Sequence, residues 1–427
     1  MQEDYLHYLW EFQKWKHSGL FTTEGAPVTV LSAGSHNFLS GPDFFNSRVV
    51  IGDQEWAGNV EIHINSSDWY RHRHEIDPAY DNVILHVVWK HDVDVYRKDQ
   101  SAVPVLELHN IVPKSTLENY ERLLLRPAGN WINCESDFKG FEEFTLDNWL
   151  ERLYFERLES KSKLIYSLLQ RSAGNWEEVL FKMLARNFGL NLNGEAFLSI
   201  AESIPFAVVR KCRGDRDNLE ALLLGQAGLL EDDLEDSYYL KLKQDYLFLK
   251  HKYRLSREGI SPVKYFRLRP DNFPELRLVQ LAAVYKLTPA LFSKLMEAGN
   301  VEELRELFTG GINEYWKTHY TFRRSHPSRK KAFTTSFLNL LIINTLVPVK
   351  FCYLQQQGRE EDETLINIMT SLPAESNKII QKFNELRTGT ATNALQSQAL
   401  LQLKKEYCDK NNCLHCGLGI KLLQRQA

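Results

Sequence analysis

Long apolar runs are scarce in this chain. No stretch reads as the roughly 20 apolar residues that a membrane span needs. The opening segment, MQEDYLHYLWEFQKWKHSGLF, mixes aromatic and charged side chains, with neither an apolar core nor the small-residue cleavage site of a secretory signal. Cysteine is sparse as well. Six in 427 residues, three of them close to the C-terminal end, do not make a disulfide scaffold and suit a reducing compartment. A glycine-rich phosphate loop, a Rossmann fingerprint, an HExxH pair and a Gly-x-Ser-x-Gly elbow are all missing, which argues against ATP, nicotinamide and serine-hydrolase chemistry. The expectation is a cytoplasmic protein with no membrane part.

What is present is globular in composition: 43% hydrophobic, 25% charged and 12% aromatic, with a formal net charge of -3. So small a net charge decides nothing about a polyanionic partner, because local clustering of basic side chains is what matters there. The length implies more than one core. Hydrophobic periodicity predicts a helix over 4–16, then short strands at 28–31, 48–51, 60–64, 83–88 and 103–108, with a helix or irregular crossover between 66 and 81. Beyond about 115 the period is helical, for example over 146–169, 176–188, 217–230, 237–255, 333–345, 363–386 and 394–407. The fold class is therefore a small mixed sheet with helices followed by an all-α region, divided as 1–115, 116–260 and 261–427.

The informative stretches are Ser40-Gly41-Pro42-Asp43-Phe44 and Gly58-Asn59-Val60-Glu61-Ile62-His63-Ile64. Alternation along a strand sends Val60, Ile62 and Ile64 to one face and Glu61 and His63 to the other. Asp43 reaches the same place if 44–51 and 55–64 pair as a hairpin around Gly52-Asp53. Two carboxylates and an imidazole there would hold Mg²⁺ or Mn²⁺ and activate a water; the plainer reading is the solvated face of an amphipathic strand. Next along the chain come Trp69, Tyr70, Arg71, His72, Arg73, His74 and Asp77. They read as a polar cap on the sheet, as substrate contacts (Trp69 stacking on bases, His72 and His74 near phosphates), or as a second metal site.

Between Trp316 and Arg359 there is no acid, and Arg323, Arg324 and Lys330 lie there among aromatics, a candidate nucleic-acid contact or simply a solvated face. Cys408-x4-Cys413-x2-Cys416 spaces three thiols for Zn²⁺ or an iron–sulfur cluster; the fourth ligand is sought in His415, Cys134, Cys212 or, as the preferred choice, Cys352.

Pro42-Asp43, followed on the next strand by Glu61-Ile62-His63 behind an N-terminal helix, resembles the PD-(D/E)xK (restriction-endonuclease-like) nuclease core over roughly residues 1–110. The resemblance implies metal ligation by Asp43, Glu61 and the Ile62 carbonyl. It puts His63 where a lysine is usual, and a first-helix glutamate, Glu11 or Glu3, beside them. Several nucleases of that class join one upstream cysteine to three downstream. The full-length pattern also resembles an uncharacterised bacterial family known only as a domain of unknown function. That likeness is carried by Asn37, Ser40 to Phe44, Gly58 to His63, Ser67-Asp68-Trp69, His72, His74, Asp77, Tyr80, Leu85 to Val88 and Tyr407 to Cys416. The functional expectation is a metal-dependent nuclease acting on DNA or RNA. The alternatives are a non-catalytic nucleic-acid-binding protein on the same frame, and a small-phosphoester hydrolase using His72, His74 and Asp77 with Glu61.

Overall fold

A computed structural model of the protein describes all residues except 1, 16–18, 38, 125–129, 215, 309, 360–361 and 426–427. The chain separates into two units, one of residues 1–149 with 403–427 and one of residues 150–402. The cut falls elsewhere than the expected divisions near 115 and 260, because the C-terminal stretch returns to the first unit.

The first unit opens with α1 (Glu3–Glu11), which buries Tyr5, Leu6, Tyr8, Leu9 and Trp10. It stops at Glu11 rather than near 16: Gln13 takes φ +49°, outside the helical range, and Lys16 lies outside the described residues. Seven strands follow: β1 (Leu20–Phe21), β2 (Pro27–Ser32), β3 (Ser35–His36), β4 (Phe44–Ile51), β5 (Gln54–Asn65), β6 (Val83–Lys90) and β7 (Val105–Glu107). They form one sheet in the order β1-β2-β4-β5-β6-β7, with β3 beside β4. Pairing is antiparallel up to β5 and parallel from β5 through β7.

β4 and β5 turn through Gly52-Asp53, Gly52 supplying φ +62°, a sign suited to a two-residue hairpin loop. A parallel β6 needs a crossover, and residues 66–81 supply it with a short helix α2 (Asp68–Arg71) and a 3₁₀ turn at Pro78–Tyr80. β6 is buried along Val83–Val88, as befits an interior parallel strand. Gly58 is required where β5 meets the start of β6, since a Cβ there would lie 2.4 Å from an Ile84 methyl.

The second unit is helical. Among its helices are Trp176–Phe188, Leu190–Glu202, Ser237–Tyr253 and Pro274–Leu287. The expected helix over 363–386 is two, Asp362–Ser371 and Lys378–Leu386, parted at Pro373, which cannot continue the ladder. The reading that no run approaches a membrane span needs correcting. Thr335–Gln356 is a continuous 22-residue helix apolar enough to cross one, and 78% of its most apolar window is buried within the protein. It packs as a core helix of this unit.

Candidate metal and acid site

One bulge aligns the two carboxylates. Along β4, Ser47 faces Gly58 but Phe44 faces Val60, so β4 carries one extra residue between these pairs. Asn46 absorbs it at φ +57°, a left-handed conformation that asparagine tolerates well. Without the extra residue Asp43 would fall opposite Ile62, on the wrong face; with it, Asp43 falls opposite Glu61. Hydrogen bonds hold that register: Ile62 N–H donates to Asp43 Oδ2 (2.9 Å), and Asp43 N–H donates to Glu61 Oε2 (3.2 Å). On the other side of β5, Glu61 is in register with His86 of β6, which shares its face.

The crossover brings the remaining imidazoles. Trp69 is fully buried, its indole N–H donating to the Tyr96 carbonyl (3.1 Å), and so it pins the loop to the core. It therefore cannot stack on a base, and that expectation is corrected. Arg73, at φ +62°, reverses the chain between His72 and His74 and turns both rings towards Glu61 and His63. The His74 ring stacks on Tyr80 with centroids 3.7 Å apart. Asp77 accepts the Ala79 N–H at the head of the 3₁₀ turn, a capping role rather than a ligand's.

The polar atoms converge closely. Glu61 Oε1 lies 3.4 Å from His63 Nε2 and 3.2 Å from His74 Nε2. His63 Nε2 is 3.1 Å from His72 Nδ1, and its Nδ1 is 2.9 Å from His86 Nε2. The ligand nitrogens of His63, His72 and His74 all lie within 4.8 Å of one another. An ion bound by imidazoles at about 2.1 Å spaces their nitrogens by roughly 3–4 Å, so this set needs only a small contraction.

Burial shapes the charges. It raises the Glu61 carboxyl to about 9, with Asp43 adding to the effect. It lowers His63 to about 2, assisted by His86, and His74 to about 4, assisted by His72. His86, entirely buried, falls to about 3 through burial and then His74. At neutral pH His63, His74 and His86 are therefore uncharged, and Glu61 keeps its proton. His63 is thus a buried, uncharged imidazole rather than an exposed proton acceptor.

The other side chains divide plainly. Glu3 and His7, one turn apart on α1, face the site: His7 Nε2 is 3.4 Å from Asp43 Oδ2, and burial followed by Asp43 raises the Glu3 carboxyl. Glu11, a further turn on, is exposed and lines a separate surface hollow with Phe12 and Lys14, so of the two first-helix glutamates it is Glu3, and not Glu11, that faces the site. His7 escaped sequence reasoning, although its i+4 spacing from Glu3 was the available signal.

In the second unit Arg323 pairs with Asp232 at 2.7 Å and Arg329 lies 3.5 Å from Asp271, while Arg324 and Lys330 are exposed. The cluster is basic in sequence but partly neutralised in space.

The cysteines also regroup. Cys408, Cys413 and Cys416 share a small cavity of the first unit with Cys134, whereas Cys352 is buried in the second unit. The choice of Cys352 as their companion is therefore corrected to Cys134. Position in the sequence was a poor guide because the chain returns to its first unit only after 402.

The family model described as Protein of unknown function (DUF2851) matches residues 3–378. The chain belongs to that family. No curated protein and no solved structure matches it.

Proposed function

We propose that the first unit is a metal-dependent phosphodiesterase whose ion is held by Glu61, His63, His72 and His74. The observation that carries this reading is the convergence of three imidazoles, two of them against the buried Glu61 carboxylate, with a second carboxylate, Asp43, alongside it. Carboxylate with several imidazoles favours Mn²⁺ or Zn²⁺ over Mg²⁺, which prefers oxygen ligands and retains its waters. Such an ion supplies a water of lowered pKa and a Lewis acid for a phosphoryl oxygen.

The chain's own groups do the rest. His86 fixes the ring of His63 from behind, so that Nε2 faces the site when Nδ1 carries the proton. Asp43 and His7 stand on the more open side, where one of them accepts the proton of the attacking water. Attack at phosphorus would break one P–O ester bond, and the oxygen expelled would leave with the proton that Asp43 or His7 had taken from the water. Asp43 and Glu61 on adjacent strands behind an N-terminal helix accord with the nuclease resemblance, and DNA or RNA is accordingly the first substrate class. A small phosphoester is the second, favoured by the entry of His72 and His74 into the site and by the paired state of Arg323 and Arg329.

The test combines thermal melts with Mn²⁺, Zn²⁺ and Mg²⁺ with turnover of labelled DNA, RNA and a bis-aryl phosphate. Wild type should melt higher with Mn²⁺ or Zn²⁺ and hydrolyse one of the three. Glu61→Gln should lose about a thousand-fold in rate, the several kcal/mol that such an ion supplies. A protein that binds no ion sinks the reading. Nucleic-acid binding without cleavage in wild type would instead leave a binding module on this frame.

A further inference from the structure

Glutamate is seldom buried without a partner of opposite charge, yet Glu275 of the helical unit is. It follows Pro274 at the start of the helix Pro274–Leu287, where proline suits the first position and a carboxylate suits the positive end of the helix. The residue is only 5% exposed, and among the described residues no cation pairs with it. Arg277, two residues on, is engaged elsewhere: its guanidinium lies over the Phe337 ring and donates to Asn272 and Gln280. The Glu275 backbone N–H and the Tyr265 hydroxyl attend the carboxyl, but Oε2 is buried and accepts no hydrogen bond. Burial raises the group to about 7.

The same side chain lines a hollow of about 360 Å³, walled by Leu229, Tyr265 and Phe322, with Asp232 and Arg323 as the other charged groups. That is the size of a small-molecule site, and apolar walls with a few polar groups are the usual make-up of one. The wall is packed in place. Phe322 meets Tyr239 and Trp316 with ring centroids 4.9 and 5.0 Å away, and Tyr265 stands edge-on to Phe273 at 5.5 Å. The charges do not balance. Arg323 is paired with Asp232 at 2.7 Å, which leaves Glu275 as the uncompensated group.

A buried acceptor without a partner is costly, and a ligand that supplies a charged donor removes the cost. An anion is disfavoured by the surplus carboxylate. A hard metal ion needs several oxygen ligands, whereas Asp232 is already committed to Arg323. Aromatic walls suit an organic cation instead, since ring faces attract positive charge. We propose that this hollow binds a small organic cation, whose ammonium group donates to Glu275 Oε2 and whose apolar body lies against Tyr265 and Phe322. This inference is independent of the phosphodiesterase reading.

The experiment is calorimetric titration of the full chain with phenethylammonium chloride, with 2-phenylethanol and with guanosine monophosphate. Wild type should bind the ammonium ion about tenfold or more tightly than the alcohol, because only the ion forms a charge-assisted bond. Glu275→Gln should abolish that preference, and Glu61→Gln should keep it. Equal binding of ion and alcohol, binding of neither, or a preference that survives in Glu275→Gln overturns the assignment. Tighter binding of guanosine monophosphate, lost in Glu275→Gln, would put a nucleobase in the hollow and overturn it as well. The comparison of ion with alcohol is made on wild type and needs no variant to fold.

Discussion

The two units bury titratable groups in opposite ways. In the helical unit several are met by neutral hydrogen-bonding partners of their own. Lys161 reaches Gln398 (2.7 Å) and Asn344 (3.0 Å), Glu220 accepts from Tyr238 (2.6 Å) and Trp316 (3.1 Å), and Lys350 donates to the Ala298 carbonyl (2.6 Å). Such groups tie helices together, and their cost is offset where they sit. In the sheet-bearing unit the imidazoles of His63, His74 and His86 face one another instead and disfavour charge on one another, while Asp43 does the same to Glu61. A buried polar group with its own partner is structural glue; a set of buried titratable groups with shifted pKa values facing one another marks a candidate functional site.

That contrast can be broken most forcefully with acid. His63 and His86 have folded pKa values far below the unfolded 6.5, so the unfolded chain takes up protons first. Their contribution is fully present above about pH 6.5 and is lost as pH falls below it, at roughly 1.4 kcal/mol per pH unit for each ring. Melting temperature should drop steeply between pH 6.5 and 4.5, and replacing His86 by leucine should flatten the decline.

The next effect is a pair of opposite signs. Glu220→Ala strands two buried donors and should cost about 3 kcal/mol in a denaturant melt. Glu61→Gln should stabilise the metal-free protein at pH 8. The folded Glu61 retains its proton up to about 9 while the unfolded one releases it near 4.5, so stability falls as pH rises through that window, and glutamine removes the fall. Two destabilised variants would erase the distinction between the units.

Smaller still, His86→Ala should weaken Mn²⁺ or Zn²⁺ binding by 10- to 100-fold in calorimetric titration, as loss of a group behind a ligand does. Smallest, Arg73→Gly should change stability by less than about 1 kcal/mol, because relief of a left-handed φ offsets the added chain entropy.

Much of the site's frame was legible in the sequence. Alternation put Glu61 and His63 on one face, and the hairpin at Gly52-Asp53 brought Asp43 close. The extra residue at Asn46 was not legible, because a one-residue register shift leaves no mark on hydropathy. Trp69 looked like a base-stacking residue because its neighbours are polar, yet its indole fills the core of the crossover. Cys134 could not be ranked above Cys352, since sequence separation does not say which unit a cysteine joins. The family match adds identity without adding chemistry, which leaves the geometry around Glu61 to carry the functional argument.

The late return of the chain bears on its synthesis. Asn133 and Cys413 touch across 280 residues, so the first unit stays open until nearly the whole second unit has been made. At ordinary translation speeds that interval is on the order of 15–60 s. Through all of it the Cys134 segment waits for its partners on a nascent chain, while the helical unit is free to finish folding first. Closure of the Cys134 segment against residues 408–416 would then be the last event in the folding of the first unit.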